Sequence, residues 1–288
     1  MLLAVPPACA ACGRVNADEA LVCALCGHLL RGGRKAPSPS PPPTIAEPQA
    51  GAQAQPWIYL GLGALTAPIF ALTPLLGFMG WFLSSLVHEM GHAAVAWFFG
   101  MPAFPAISLE GHAAAVHSDP SLLLALAVWA MLGASAWHWL RGRTRWVAIG
   151  VVAVLYPALA FTQAKEVLQL LAGHGAELAF ATLCLWKTLD GGFTESRLER
   201  GLYGTIGWYL LGKNVLLCGG LVWSPASRED YFENGSFGLT NDLIRVAEDL
   251  LDWRLPIVAL LVLIAALLVL PAALFLWRFS SGRFRAPS

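Results

Sequence analysis

Five consecutive residues, His88-Glu89-Met90-Gly91-His92, carry side chains suited to chemistry, and they sit inside a long apolar run from Trp81 to Phe99. On a helix, residues four apart share a face, so His88 and His92 can present two imidazoles to one ion while Glu89 points about one hundred degrees round. At this spacing the two histidines of HExxH sites bind Zn2+, an open coordination position keeps a water, and the glutamate takes that water's proton. The setting sharpens the expectation, because ionisable side chains inside a membrane-spanning segment are costly and are functional by default. Glu89 is the expected catalytic residue, and His88 and His92 are expected metal ligands. The competing expectation is three polar side chains that pack against neighbouring helices.

A second set of metal-type residues opens the chain. Cys9-x-x-Cys12 and Cys23-x-x-Cys26 form two CxxC pairs, with Gly13 and Gly27 directly after each second cysteine. Such pairs sit on tight turns whose thiolates wrap one side of a tetrahedral ion, and glycine permits the close backbone approach. Four thiolates fill the coordination shell, so this zinc is structural. A segment of about 30 residues cannot bury enough core to fold alone, and the metal would supply the folding free energy. The first 32 or so residues resemble the small zinc ribbons that precede many bacterial membrane proteins.

A catalytic zinc also takes a third protein ligand, which the histidine pair does not provide. In Gly173-His174-Gly175-Ala176-Glu177, His174 and Glu177 are three apart and share a helix face. Further on stands Leu189-Asp190-Gly191-Gly192. A HEMGH sequence in an apolar helix, followed about a hundred residues later by LDGG, resembles the site-2 protease family of intramembrane zinc metalloproteases. The resemblance implies a polytopic helical fold, endopeptidase activity on membrane-protein substrates, and Asp190 as third zinc ligand. The chain departs from the family pattern in lacking a proline-bearing approach to LDGG. Depth points elsewhere. At 1.5 Å per residue, His174 and Glu177 lie within about 6 Å of the middle of their apolar run, whereas Asp190 lies roughly 18 Å from it. His174 and Glu177 are therefore the preferred ligands, one binding and the other orienting it, with Asp190 the alternative. Lys213 and Asn214 fall near the middle of another run, where the lysine is expected to snorkel or to pair with Glu166 or Glu177. Asn214 is a candidate oxyanion donor.

These residues must be held by a membrane scaffold. The 288 residues are 57% hydrophobic and 12% charged, far from the roughly 25% charged of soluble domains. Formal net charge is zero, so no electrostatic footprint for a nucleic-acid partner exists. The opening Met1-Leu2-Leu3-Ala4-Val5 has no basic flank and too short an apolar run for a signal peptide, and the N-terminus is expected to be retained. Residues 36–55 are Pro, Ser, Ala and Gln with almost no charge, a semi-extended linker. The expected organisation is a zinc ribbon over 1–32, a Pro-rich linker over 33–56 and a polytopic domain over 57–280.

Seven apolar runs are long enough to span about 30 Å of hydrocarbon: Trp57 to Leu76, Phe78 to Phe99, Ser121 to Leu140, Trp146 to Gln163, Val167 to Leu189, Gly201 to Trp223 and Leu255 to Trp277. The fold class is thus an all-α polytopic membrane protein with about six to seven transmembrane helices. A reduced ribbon points to a cytoplasmic N-terminus, as in a bacterial inner membrane, and the basic loops then lie inside only if one of the first three runs fails to cross. Glycines 201, 204, 207 and 212 thin one helix for close packing. Two short apolar stretches flank Glu110-Gly111, a hairpin signal, and a strand pair there could extend a substrate backbone along its edge. Thr240 to Trp253 reads as an interfacial amphipathic helix.

The expected function is an intramembrane zinc metalloprotease with two zinc ions, one catalytic and one in the ribbon, the ribbon recruiting a protein partner. The alternatives are a non-enzymatic membrane adaptor with the ribbon as its binding module, and a zinc hydrolase acting on a lipid-linked amide or ester.

Overall fold

The computed structural model describes residues 8–16, 22–28, 56–108, 113–191, 194, 196–233 and 241–284. The chain divides into two compact units, Met1–Gln53 and Ala54–Ser288. Of the linker expected over 33–56, only Pro56 falls among the described residues.

In the first unit the two CxxC pairs form matching turns. The Cys9 amide bonds the Arg14 carbonyl at 2.9 Å and the Gly13 amide the Cys9 carbonyl at 2.8 Å, and Cys23, His28 and Gly27 repeat the pattern at 2.8 and 2.9 Å. Each turn closes on a glycine in the left-handed region, φ 71° at Gly13 and 73° at Gly27, where a side chain would be strained. Asn16 ties the turns together: its Nδ2 donates to Arg14 O at 2.8 Å and its Oδ1 accepts from the Ala24 amide at 3.2 Å.

The second unit is mostly helical. Its elements are α1 (Pro56–Leu72), α2 (Pro74–Phe98), β1 (Ala103–Ile107), β2 (Ala113–His117), α3 (Leu122–Trp139), α4 (Gly142–Ala160), α5 (Ala164–Asp190), α6 (Arg197–Trp223), α7 (Pro225–Glu233), a short hook made of α8 (Asp242–Ile244) and a π-helical stretch Arg245–Leu250, and α9 (Leu255–Phe284). Among the described residues five helices, α3, α4, α5, α6 and α9, are long and apolar enough to cross a membrane. This is fewer than the six to seven expected. The first two runs form a pair, α1 and α2, bent by 103°, and counting that pair as one span brings the total to six. The bend follows from Pro74, which stands at the first turn of α2 and disfavours helical backbone at Thr73; Thr73 is extended at φ −81°, ψ 123°.

The core is built from α5, α6 and α9, with Leu185, Leu210, Leu221 and Ala259 at 0–1% exposure. Lipid tails are as apolar as leucine, so helices in a bilayer associate through close backbone approach and polar pairs. Thr66 of α1 and Thr205 of α6 share a 2.6 Å hydroxyl contact, and Gly204 and Gly207 lie against Tyr59 and Leu185. Gly201 and Gly212 face open space, so only two of the four glycines serve the expected packing. Helices α3 and α4 form a peripheral pair whose apolar windows are 6% and 11% buried.

Strands β1 and β2 pair antiparallel from Ala103↔His117 to Ile107↔Ala113, the strand pair expected on either side of Glu110-Gly111, and this hairpin departs from the all-α class. The expected turn at Glu110-Gly111 lies outside the described residues. The Trp97 indole donates to Ala103 O at 2.8 Å and holds the hairpin to α2.

The stretch expected to lie on the membrane surface as an amphipathic helix does not. Its apolar side chains Leu243, Ile244, Val246 and Ala247, at 0–3% exposure, join the core of α5, α6 and α9. Hydropathy gives the apolar face but not what covers it, and here the cover is protein. Burying Leu243, Ile244 and Val246 stabilises the docked hook by about 1.5–3 kcal/mol each relative to water.

Candidate metal centre

Helix α2 carries His88, Glu89 and His92, and α5 lies hard against it at this point. A Cβ on Gly91 would overlap the Ala172 carbonyl and the Ala176 methyl, and a Cβ on Gly173 would overlap the His88 ring. The two glycines let the helices close while the His88 imidazole lies in the crossing.

His92 Nδ1 is 2.6 Å from the Gln169 carbonyl. A carbonyl only accepts, so Nδ1 carries the hydrogen and the neutral ring has a bare lone pair at Nε2. That Nε2 is 3.0 Å from Asp242 Oδ2. His88 Nε2 is 3.1 Å from the same oxygen. Two acceptor atoms at 3.0 Å repel unless a cation stands between them, either a proton or a metal ion. With a proton as that cation, burial alone would raise the Asp242 carboxyl, but hydrogen bonds from His88 and from a doubly protonated His92 outweigh it and hold the group well below the usual carboxylate range. Within the described residues His88, His92 and Asp242 form a group able to hold a metal ion. With Zn–N and Zn–O of about 2.0–2.1 Å, tetrahedral ligands stand about 3.3 Å apart, close to the two spacings here. The residues fit a zinc ion.

Glu89 is 7% exposed, and its carboxylate accepts from the Ala115 amide of β2. It stands at a cavity of about 420 Å3 lined by His88, His92, Asp242, Lys213 and the β2 residues Ala113 to Ala115.

His174 and Glu177 build a neighbouring cluster that shares His88. Glu177 is fully buried and accepts from the Ser84 hydroxyl, from Lys213 Nζ at 3.0 Å and from Asn214 Nδ2 at 3.0 Å. His88 Nδ1 faces it at 3.7 Å and His174 Nδ1 at 3.6 Å. These three can also be grouped as metal-capable, but the Glu177 oxygens are already surrounded by donors. A carboxylate behind a ligating imidazole orients the ring and raises its basicity, and this is the position Glu177 holds behind His88. His174 stands edge-on to His88, ring centroids 4.9 Å apart, with Nδ1 2.9 Å from Asn214 Oδ1. Lys213 pairs with Glu177, one of the two partners expected for it. Asn214 is no oxyanion donor: its two amide hydrogens go to Glu177 and to Leu210 O.

Asp190, the ligand implied by the resemblance, stands apart from this cluster. It lies sixteen residues beyond His174 on the same helix, roughly 24 Å along it at 1.5 Å per residue. Its Oδ1 accepts from Ser280 of α9 at 3.0 Å, and Gly191 at φ 65° ends α5. Leu189 to Gly191 form a helix end tied to its neighbour. Asp242, by contrast, was missed by sequence reasoning. The one signal for it was the polar pair Asn241-Asp242 directly before the buried Leu243-Ile244.

In the ribbon, Cys9, Cys12, Cys23 and Cys26 gather as a group that could hold a zinc ion. Their Sγ atoms are 3.6 Å apart for Cys9 and Cys26 and 3.5 Å for Cys12 and Cys23, near the ~3.8 Å edge of a tetrahedron with Zn–S of about 2.3 Å and far beyond the ~2.05 Å of a disulfide. The Leu25 and Cys26 amides lower the Cys23 thiol to about 6. Cys12 is pushed up to about 12, because its hydrogen bonds with the Cys26 and Cys23 thiols outweigh the Arg14 amide.

Compared with known protein families, curated proteins and solved structures, the chain matches none of them.

Proposed function

We propose that the membrane unit is a zinc-dependent endopeptidase that cleaves a peptide bond within or beside the bilayer. The observation that carries the proposal is the convergence of the His88 and His92 Nε2 atoms on one carboxylate oxygen at a cavity that also holds Glu89. A divalent ion held by these imidazoles would polarise the scissile carbonyl and acidify a water. Glu89 takes the water's proton and returns it to the leaving amine, the role of a general base that becomes a general acid. Gln169 and Glu177 keep the two imidazole rings oriented. Lys213, with its ammonium on Ser84 and Glu177 and its side chain 38% exposed, supports a water-filled cavity, since a cation facing lipid there would be costly.

A peptide substrate is favoured by β2. Ala113 to Ala115 present small side chains and an extended edge to the cavity, and an unwound substrate can add its backbone to such an edge. Unwinding is required in any case, because helical carbonyls are occupied by their own amides. The ribbon, with its structural zinc, serves as a docking module for a protein partner.

The test compares membrane proteins in cells carrying wild type or Glu89→Gln. Accumulation of an uncleaved membrane protein in the variant, cleaved on addition of purified zinc-loaded wild type, is the expected result. An unchanged cleavage pattern and unchanged turnover in Glu89→Gln would remove the enzyme reading and leave a non-enzymatic adaptor.

A further inference from the structure

We infer that Asp242 is the third protein ligand of the metal centre, and that the docked hook, being the element that carries it, sets the metal affinity of the site. The inference rests on the reading that His88 and His92 hold an ion, and it adds a residue that neither the HExxH pattern nor the family resemblance points to.

Three observations converge. Asp242 Oδ2 is 3.1 and 3.0 Å from the two Nε2 atoms, so both imidazoles of the HExxH pair turn to one carboxylate oxygen at a spacing that ligands of one small ion can take. The hydrogen of His92 is taken by Gln169 O, so a neutral His92 offers Asp242 a lone pair and no proton, an arrangement that a divalent cation satisfies without charging the ring. The other acidic residues considered as ligands are engaged elsewhere: Glu177 with Ser84, Lys213 and Asn214, Asp190 with Ser280.

The hook that carries Asp242 is too short to cross a membrane and has no long helix of its own to hold it. Its position comes from docking. Leu243, Ile244, Val246 and Ala247 fill the core beside α5 and α9, Asn241 Nδ2 donates to the Tyr231 carbonyl at 2.6 Å, and the Leu243 amide faces the Tyr231 hydroxyl. Two ligands therefore sit on a fixed helix and one on a docked segment. By linkage, whatever favours docking tightens metal binding, and the metal favours docking by the same factor. A partner or substrate that displaced the hook would release the ion.

The experiment measures zinc per chain in the full-length protein, with the ribbon as internal standard. Wild type is expected to hold two equivalents. Asp242→Ala loses one, as His88→Ala does, while Asp190→Asn keeps both. Val246→Asp, which touches no ligand, weakens the membrane-unit site at least tenfold. Cobalt substitution guards against misfolding: in Asp242→Glu, which preserves a carboxylate, the visible bands of the non-thiolate site shift. Two equivalents retained in Asp242→Ala, or unshifted bands in Asp242→Glu, overturn Asp242 as a ligand and leave the proposed function standing if His88→Ala still loses one. Wild-type affinity in Val246→Asp overturns the role of the hook. Two equivalents in His88→Ala would overturn both this inference and the function on which it rests.

Discussion

His92 Nε2 stands 3.0 Å from Asp242 Oδ2 while its Nδ1 hydrogen is held by Gln169 O, so a proton or a metal ion must lie between ring and carboxylate. The contact joins residues 150 positions apart in the chain. The proposed metal chemistry of the membrane unit rests on this relationship, which makes separable demands on the residues around it.

In the proposed mechanism Glu89 moves protons and does not hold the ion. Glu89→Gln is expected to lower turnover about 10²–10⁴-fold, the usual contribution of general acid–base catalysis, with zinc content unchanged. Parallel assays of cleavage and of metal per chain check both halves.

Gly173 leaves room for the His88 ring. Gly173→Ala is expected to force that ring out of the crossing, losing zinc from the membrane unit and costing about 1–3 kcal/mol of stability, as overpacking does. Metal content and thermal unfolding read the two effects, and Gly175→Ala, which meets open space, is the control.

The Glu177 and Lys213 pair, 3.0 Å apart, is expected to show strong coupling. Removing one partner of a fully buried pair leaves an uncompensated charge and costs about 3–5 kcal/mol, and the 38% exposure of the Lys213 side chain brings the expected loss below that range. Lys213 is partly exposed, so the larger loss is expected in Lys213→Met, which strands the buried carboxylate, and the smaller in Glu177→Gln. The double variant should be more stable than the sum of the single losses implies, which a double-mutant cycle in detergent measures.

In the ribbon, metal uptake is expected to release protons and to weaken as pH falls. Cys23, lowered to about 6, is a thiolate above that value and is protonated as pH drops through it, so uptake should fall most steeply below about pH 6. Cobalt–thiolate absorbance of the full chain follows this, and loss of the signal in Cys23→Ser assigns it.

How much of this was legible in the sequence differs from residue to residue. The spacing of His88, Glu89 and His92, and that of the four cysteines, needs only a local helix or a local turn to bring the groups together, and both arrangements are present. Thr240 to Trp253 shows the limit. Its apolar face was visible, but an amphipathic stretch looks the same whether lipid or protein covers it. Depth along a run separated Asp190 from the site because rise per residue is fixed by the helix. It could not distinguish Glu177 as a ligand from Glu177 as the support behind His88, which depends on donors from α2 and α6.

By itself, then, the sequence determined long apolar runs able to cross a membrane and two local groupings of metal-type side chains, because hydropathy and short-range spacing are properties of neighbouring residues. Only the tertiary structure decided which carboxylate faces the two imidazoles. Asp242 reaches them through the docking of Leu243, Ile244 and Val246 into a core formed by three distant helices, and long-range packing of that kind leaves no periodic trace along the chain.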